Sequence, residues 1–195
     1  MGEKIEDVIR VTMSEARPAP HAPRNLVPFL MTASELPHSD IPPKKFLVST
    51  FIPSSSFGMV FAPRGIGKSW FAFGLAKAIA TGANTFLGWQ IHEKGSVLFV
   101  DGEMSLVDLK ERTKLLFGPQ GSPRFHIMPS EQLYQNGCPI CLDMPQEHQA
   151  ILHLLDYMEQ QGEKPKLIIL DNLSTLRRGV NEMIILKQKS FLAFS

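Results

Sequence analysis

The sequence predicts an α/β protein built on a doubly wound, mainly parallel sheet, and three observations carry that expectation. Short apolar runs alternate with amphipathic stretches from residue 46 onward. Two of the runs, "VLFV" and "LIIL", are continuously apolar and end in acids at Asp101 and Asp171, as a strand buried on both faces does where it leaves the sheet. A third, "GMVFA" at 58–62, runs into the glycine-bearing loop "PRGIGK" and then into a helical stretch. Strand alternating with helix gives a parallel sheet covered on both faces. Right-handed crossovers put the strand C-termini on one edge, where ligands of such sheets bind.

The elements follow in order. Residues 1–45 hold seven of the fifteen prolines and form a proline-rich N-terminal segment, with a short helix expected at 3–15. Residues 16–28, "ARPAPHAPRNLVP", read as an extended linker, because each proline fixes φ and restricts the residue before it. "LMTASEL" at 30–36 predicts a brief helix. A second region, 46–195, holds the alternating pattern. "FLVSTF" at 46–51 predicts an edge strand, and "SWFAFGLAKAIATG" at 69–82 a helix apolar around most of its girth and closed by Gly82.

"TFLGWQI" at 85–91 and "GSVLFVDGE" at 95–103 predict strands around a turn at "HEKG", with Trp89 buried in the hairpin. A helix at 105–117 starts on Ser105 as N-cap. A weak strand at 124–128 follows, then an amphipathic helix at 146–162 on Ile151, Leu154, Leu155 and Met158, and a buried strand at 166–170 closing on Asp171.

Composition excludes several classes. The 195 residues are 44% apolar and 20% charged with net charge +1. That is ordinary for a globular domain, and no overall field recruits nucleic acid or membrane. No run of 18 apolar residues exists, so no membrane span is expected. The mixed-charge N-terminus lacks the apolar core of a secretory signal, which makes the cytoplasm the expected compartment. Cys138 and Cys141 form a single C-x-x-C pair with Pro139 inside it. One pair cannot complete a four-ligand zinc site, and a redox pair opens a helix after a strand, so a structural role is expected. Arg177 and Arg178 are the nearest thing to a basic patch, and such short charge runs are usually solvated.

The chemistry concentrates in "APRGIGKS", residues 62–69. A strand that feeds a tight loop into a helix N-terminus turns backbone amides toward a concavity where phosphate binds. Gly65 and Gly67 allow the backbone angles such a loop needs. Lys68 is placed to reach the β- and γ-phosphates and Ser69 to ligate magnesium. Ala62 stands where the motif has glycine, at a position that needs a small residue more than positive φ. The nucleotide-binding set is thus Ala62, Pro63, Arg64, Gly65, Ile66, Gly67, Lys68, Ser69 and Trp70. A phosphate loop alone does not hydrolyse ATP; a carboxylate must hold the metal and a base must activate water. Asp171 is the expected second magnesium ligand. Glu103, projecting beyond the end of its strand, is the expected base, with Asp101 on the same strand.

These stretches, with "LIILDNLSTL" after the phosphate loop and "VLFVDGEM", resemble the RecA-like P-loop ATPases of the AAA_25 type over about residues 30–182. That family is similar to the RepA-type hexameric replicative helicases of plasmids. The resemblance implies a RecA-like fold binding ATP and Mg²⁺, with Glu103 activating water and Asp171 holding the metal. It also implies a homo-hexamer acting on DNA. The family continues past this point with a strand lying between the phosphate-loop strand and the strand ending at Asp171, then further segments. Residues 172–195 supply at most a short helix and the strand "FLAFS". The domain is therefore expected to be partial and incomplete at its C-terminus, as a truncated product. A missing central strand would leave rows of unpaired backbone groups and an aggregation-prone chain. Two other functions compete with the DNA-acting ATPase: a nucleotide-binding remnant without hydrolysis, and a small-molecule kinase on the same loop.

Overall fold

The computed structural model describes residues 25–63 and 65–177, together with the backbone of 191–194. The helix expected at 3–15 and most of the proline-rich linker lie outside the described residues. Two compact units divide the chain, Met1–Pro42 and Pro43–Ser195.

In the first unit, single 3-10 turns occupy Val27–Phe29 and Leu36–His38, each with a proline in its opening positions. The brief helix expected at 30–36 is not there. Pro28 and Pro37 bracket the segment. Between them Thr32 and Glu35 cap each other, Thr32 N–H donating to Glu35 Oε2 at 2.7 Å and Glu35 N–H to Thr32 Oγ1 at 3.3 Å, which closes one turn and starts no second.

The second unit opens with β1 (Phe46–Val48), β2 (Ile52–Pro53) and β3 (Phe57–Val60). Helix α1 (Lys68–Thr81) follows, then the hairpin β4 (Thr85–Phe86) and β5 (Trp89–Gln90), β6 (Val97–Asp101) and α2 (Leu106–Phe117). The chain continues through β7 (Phe125–Pro129), α3 (Ser130–Gln135), α4 (Pro145–Gln160), β8 (Leu167–Asp171) and β9 (Phe191–Phe194). The main sheet runs β3-β9-β8-β6-β7, and every neighbouring pair is parallel.

Several expectations are corrected. The segment at 46–51 is not an edge of the main sheet, because β1 turns back within four residues to pair with β2 in a two-stranded antiparallel ribbon. Residues 85–91 form their own hairpin rather than one arm of a larger one. Its Trp89 is 41% exposed and packs on Phe51 with ring centroids 4.7 Å apart. The position expected to lack a strand is filled, since β9 pairs with β3 on one side and β8 on the other. The open rows that motivated the aggregation expectation are therefore closed at that place.

Alternation along the strands builds a core on each face of the sheet. Val97, Phe99, Leu167 and Ile169 point to one face and join Phe73, Leu75 and Ile79 of α1 and Leu109 of α2. Leu98, Val100, Ile168 and Leu170 point to the other and meet Ile151 and Met158 of α4. All five residues of β6 and of β8 are buried. This is why both read as unbroken apolar runs, and why their C-terminal acids arrive at the same edge side by side.

Candidate nucleotide site

Loop 61–67 connects β3 to α1. Gly65 and Gly67 adopt φ of 83° and 96°, the left-handed region that other residues enter at a cost of about 1–2 kcal/mol. Gly67 is the N-cap of α1, so the turn delivers unpaired amides and the positive end of the helix dipole to one spot. Lys68 Nζ lies over the loop it closes, donating to Ala62 O at 2.5 Å and Pro63 O at 3.4 Å. Ile66 and Trp70 are exposed at 64% and 42%. Arg64 lies outside the described residues.

Strands β6 and β8 bring the acids to this loop. Asp101 and Asp171 are register partners across the parallel pair, and both are buried. The Ser69 hydroxyl hydrogen-bonds Asp171, joining α1 to β8. Burial pushes the Asp171 carboxyl above the ordinary aspartate range. The Ser69 bond and the charges of Arg112 and Lys68 pull it down, while Glu103 adds to the rise. Burial likewise raises Asp101, with Asp171's charge adding to it and the backbone N–H groups of Met104 and Glu103 opposing.

A raised folded-state value is a stability cost at neutral pH. The contribution is favourable below the ordinary aspartate value of 3.8 and is lost as pH rises through the folded-state value. Asp171→Asn is therefore expected to raise the melting temperature of the nucleotide-free protein at pH 7, by about 2–4 °C per kcal/mol relieved. The difference from wild type should shrink as pH falls toward 4. A variant that melts below wild type across that range would overturn this account.

Glu103 lies just past β6 and is exposed. Its Oε2 accepts from Asn172 Nδ2 at 2.5 Å. A cavity of about 520 Å³ is lined by Gly65, Gly67, Lys68, Ser69 and Trp70 together with Asp101, Glu103 and Asp171. So the sequence-predicted residues Pro63, Gly65, Gly67, Lys68, Ser69, Trp70, Glu103 and Asp171 converge on one cavity. Ala62 contributes its carbonyl to Lys68, and Ile66 is not among the lining residues.

Further residues of the lining were missed from sequence, Asn172 and a charged pair on α2 among them. Asp108 and Arg112 stand four apart on α2 and both face the cavity. The Arg112 guanidinium lies 4.9 Å over the Trp70 ring, and its Nη1 is buried without a hydrogen-bond partner. The signal was an i, i+4 charged pair on the helix that follows the Glu103 turn.

The donor set fits a hard cation: a hydroxyl and a carboxylate oxygen, already touching. Among the described residues no cluster of three or more His, Cys, Asp and Glu side chains could hold a metal. A cation here would thus take its remaining ligands from phosphate oxygens and water, as magnesium does.

Outside the cavity, Cys138 is exposed and Cys141 buried, both as free thiols. Arg177 is engaged by Asp143, with Nε to Oδ1 at 2.8 Å, and Arg178 lies outside the described residues. Among the described residues no helix is long and apolar enough to cross a membrane. A family model described as an AAA domain, AAA_25, matches residues 21–183. No curated protein matches the chain.

Proposed function

The chain belongs to the AAA_25 family of AAA domains, nucleotide-binding domains of the ATPase type, and on that premise we propose that it is a magnesium-dependent ATP hydrolase. The observation that carries the reading is the single cavity where Lys68, Ser69, Glu103 and Asp171 meet. Amides of the 65–69 turn cradle the phosphates. Lys68 leaves the Ala62 and Pro63 carbonyls for the β- and γ-phosphate oxygens, exchanging neutral acceptors for anionic ones that attract its charge directly. Ser69 and Asp171 hold the cation. Magnesium, when bound with ATP, offsets the charge that builds on the phosphate oxygens. Glu103, at the solvent-facing rim, accepts the proton of the attacking water and orients it toward the γ-phosphorus.

The finer reading, a subunit of a homo-hexameric replicative helicase acting on DNA, is supported by the motif order and spacing of the resemblance. Full-length protein with Mg·ATP is expected to release phosphate in steady state, and EDTA to stop it. Assembly by light scattering and stimulation by single-stranded DNA in the same assay test the finer part. Tight ATP binding without phosphate release would leave the nucleotide-binding remnant as the better description. Turnover that appears only with an added acceptor would favour a kinase.

A further inference from the structure

Glu103 is an exposed acid of the cavity and the one whose direction matters most, because a base has to lie within hydrogen-bond reach of the water it activates. Its backbone is already fixed. Asp101 accepts the N–H groups of Glu103 and Met104, and Gly102 N–H donates to Asp171 O at 2.7 Å. The side chain is held from β8. Asn172 follows Asp171 directly, and its carboxamide has little freedom of its own. Oδ1 accepts from Ser174 Oγ at 2.6 Å, Thr175 N–H at 3.0 Å and Thr175 Oγ1 at 3.0 Å. With that oxygen saturated on the 172–175 turn, the amide nitrogen is turned outward, and it lands 2.5 Å from Glu103 Oε2.

The two turns also touch closely. A Cβ on Gly102 would stand 2.9 Å from Leu176 Cγ and closer still to Thr175 Oγ1. Only glycine lets the β6 exit lie against the 172–176 turn.

We propose that Asn172 is the positioning residue for the Glu103 carboxylate. The turn at 172–175 orients the amide, the amide fixes Oε2, and Oε1 is left to take the proton of water. This inference rests on the ATP-hydrolase reading of the cavity and names how that reading's base is aimed.

The test is Asn172→Asp, studied alone and in a Glu103→Gln background. Aspartate keeps the acceptor that Ser174 and Thr175 require but sets an oxygen against the Glu103 carboxylate. Expected for the single variant is a turnover number lowered about tenfold, the size of one hydrogen bond to a charged group, with ATP affinity within about threefold of wild type. In the Glu103→Gln background the same change should cost no further turnover. It should also cost less melting temperature there than in wild type, because the glutamine amide can donate to the new carboxylate.

A purely structural role for Asn172 would lower affinity and melting temperature by the same amount in both backgrounds. That result, or wild-type turnover in Asn172→Asp while Glu103→Gln is inactive, overturns the proposal alone. Wild-type turnover in Glu103→Gln overturns this proposal and Glu103's role as the base while leaving hydrolysis standing, and a wild type that never turns over overturns the hydrolase reading and this proposal together.

Discussion

Lys68→Ala is expected to abolish ATP binding at concentrations that saturate the wild type while leaving the fold intact. The ammonium sits directly on the loop, between the Ala62 and Pro63 carbonyls. Removing one partner from a desolvated, hydrogen-bonded charge pair costs about 2–5 kcal/mol, which is roughly 30-fold to several-thousand-fold in affinity. The side chain belongs to neither core cluster, so the loss of melting temperature should be small. Calorimetric titration with Mg·ATP beside a thermal melt separates the two effects. An affinity within a few-fold of wild type would mean that phosphate binds elsewhere.

Glu103→Gln should produce the opposite pattern, with nucleotide bound and chemistry lost. General-base contributions are typically 10²–10⁴-fold, so phosphate release should fall by about that factor with the dissociation constant nearly unchanged. The substitution is mild for the fold. The residue is exposed, and glutamine can still present its carbonyl oxygen to Asn172. If phosphate release in this variant stays within threefold of wild type, water is activated by another group.

Much of the site was legible because its parts are local in sequence. Gly65, Gly67, Lys68 and Ser69 sit on consecutive backbone, so their spacing alone brought them to one cavity. Asp101 and Asp171 were legible because apolar runs that end in acids announce where buried strands stop. Arg112 was not, since a cation on an amphipathic helix reads as a solvated face until tertiary packing lays it over Trp70. Asn172 lies directly after a strand-end acid but carries no spacing signal of its own; its direction comes from the Ser174 hydroxyl and the Thr175 amide and hydroxyl. The strand at 46–51 was legible, but its pairing with β2 was not, because a partner of two residues is too short for alternation to register. Helix α3, six residues long, likewise gives no period to read. The strand order was available only through resemblance, since alternation of elements fixes parallelism but not which neighbour each strand takes.

The place of β9 bears on the order in which the molecule comes together. Among the described residues β3 has no other sheet neighbour, and Phe57 meets Phe191 across a separation of roughly 130 residues, so the entropy of closing that long loop falls on this one pairing. Strands β6, β7 and β8 close shorter loops and can collapse with their helices first. The strand that leads into loop 61–67 can then complete its place in the sheet only once β9 is seated beside β8.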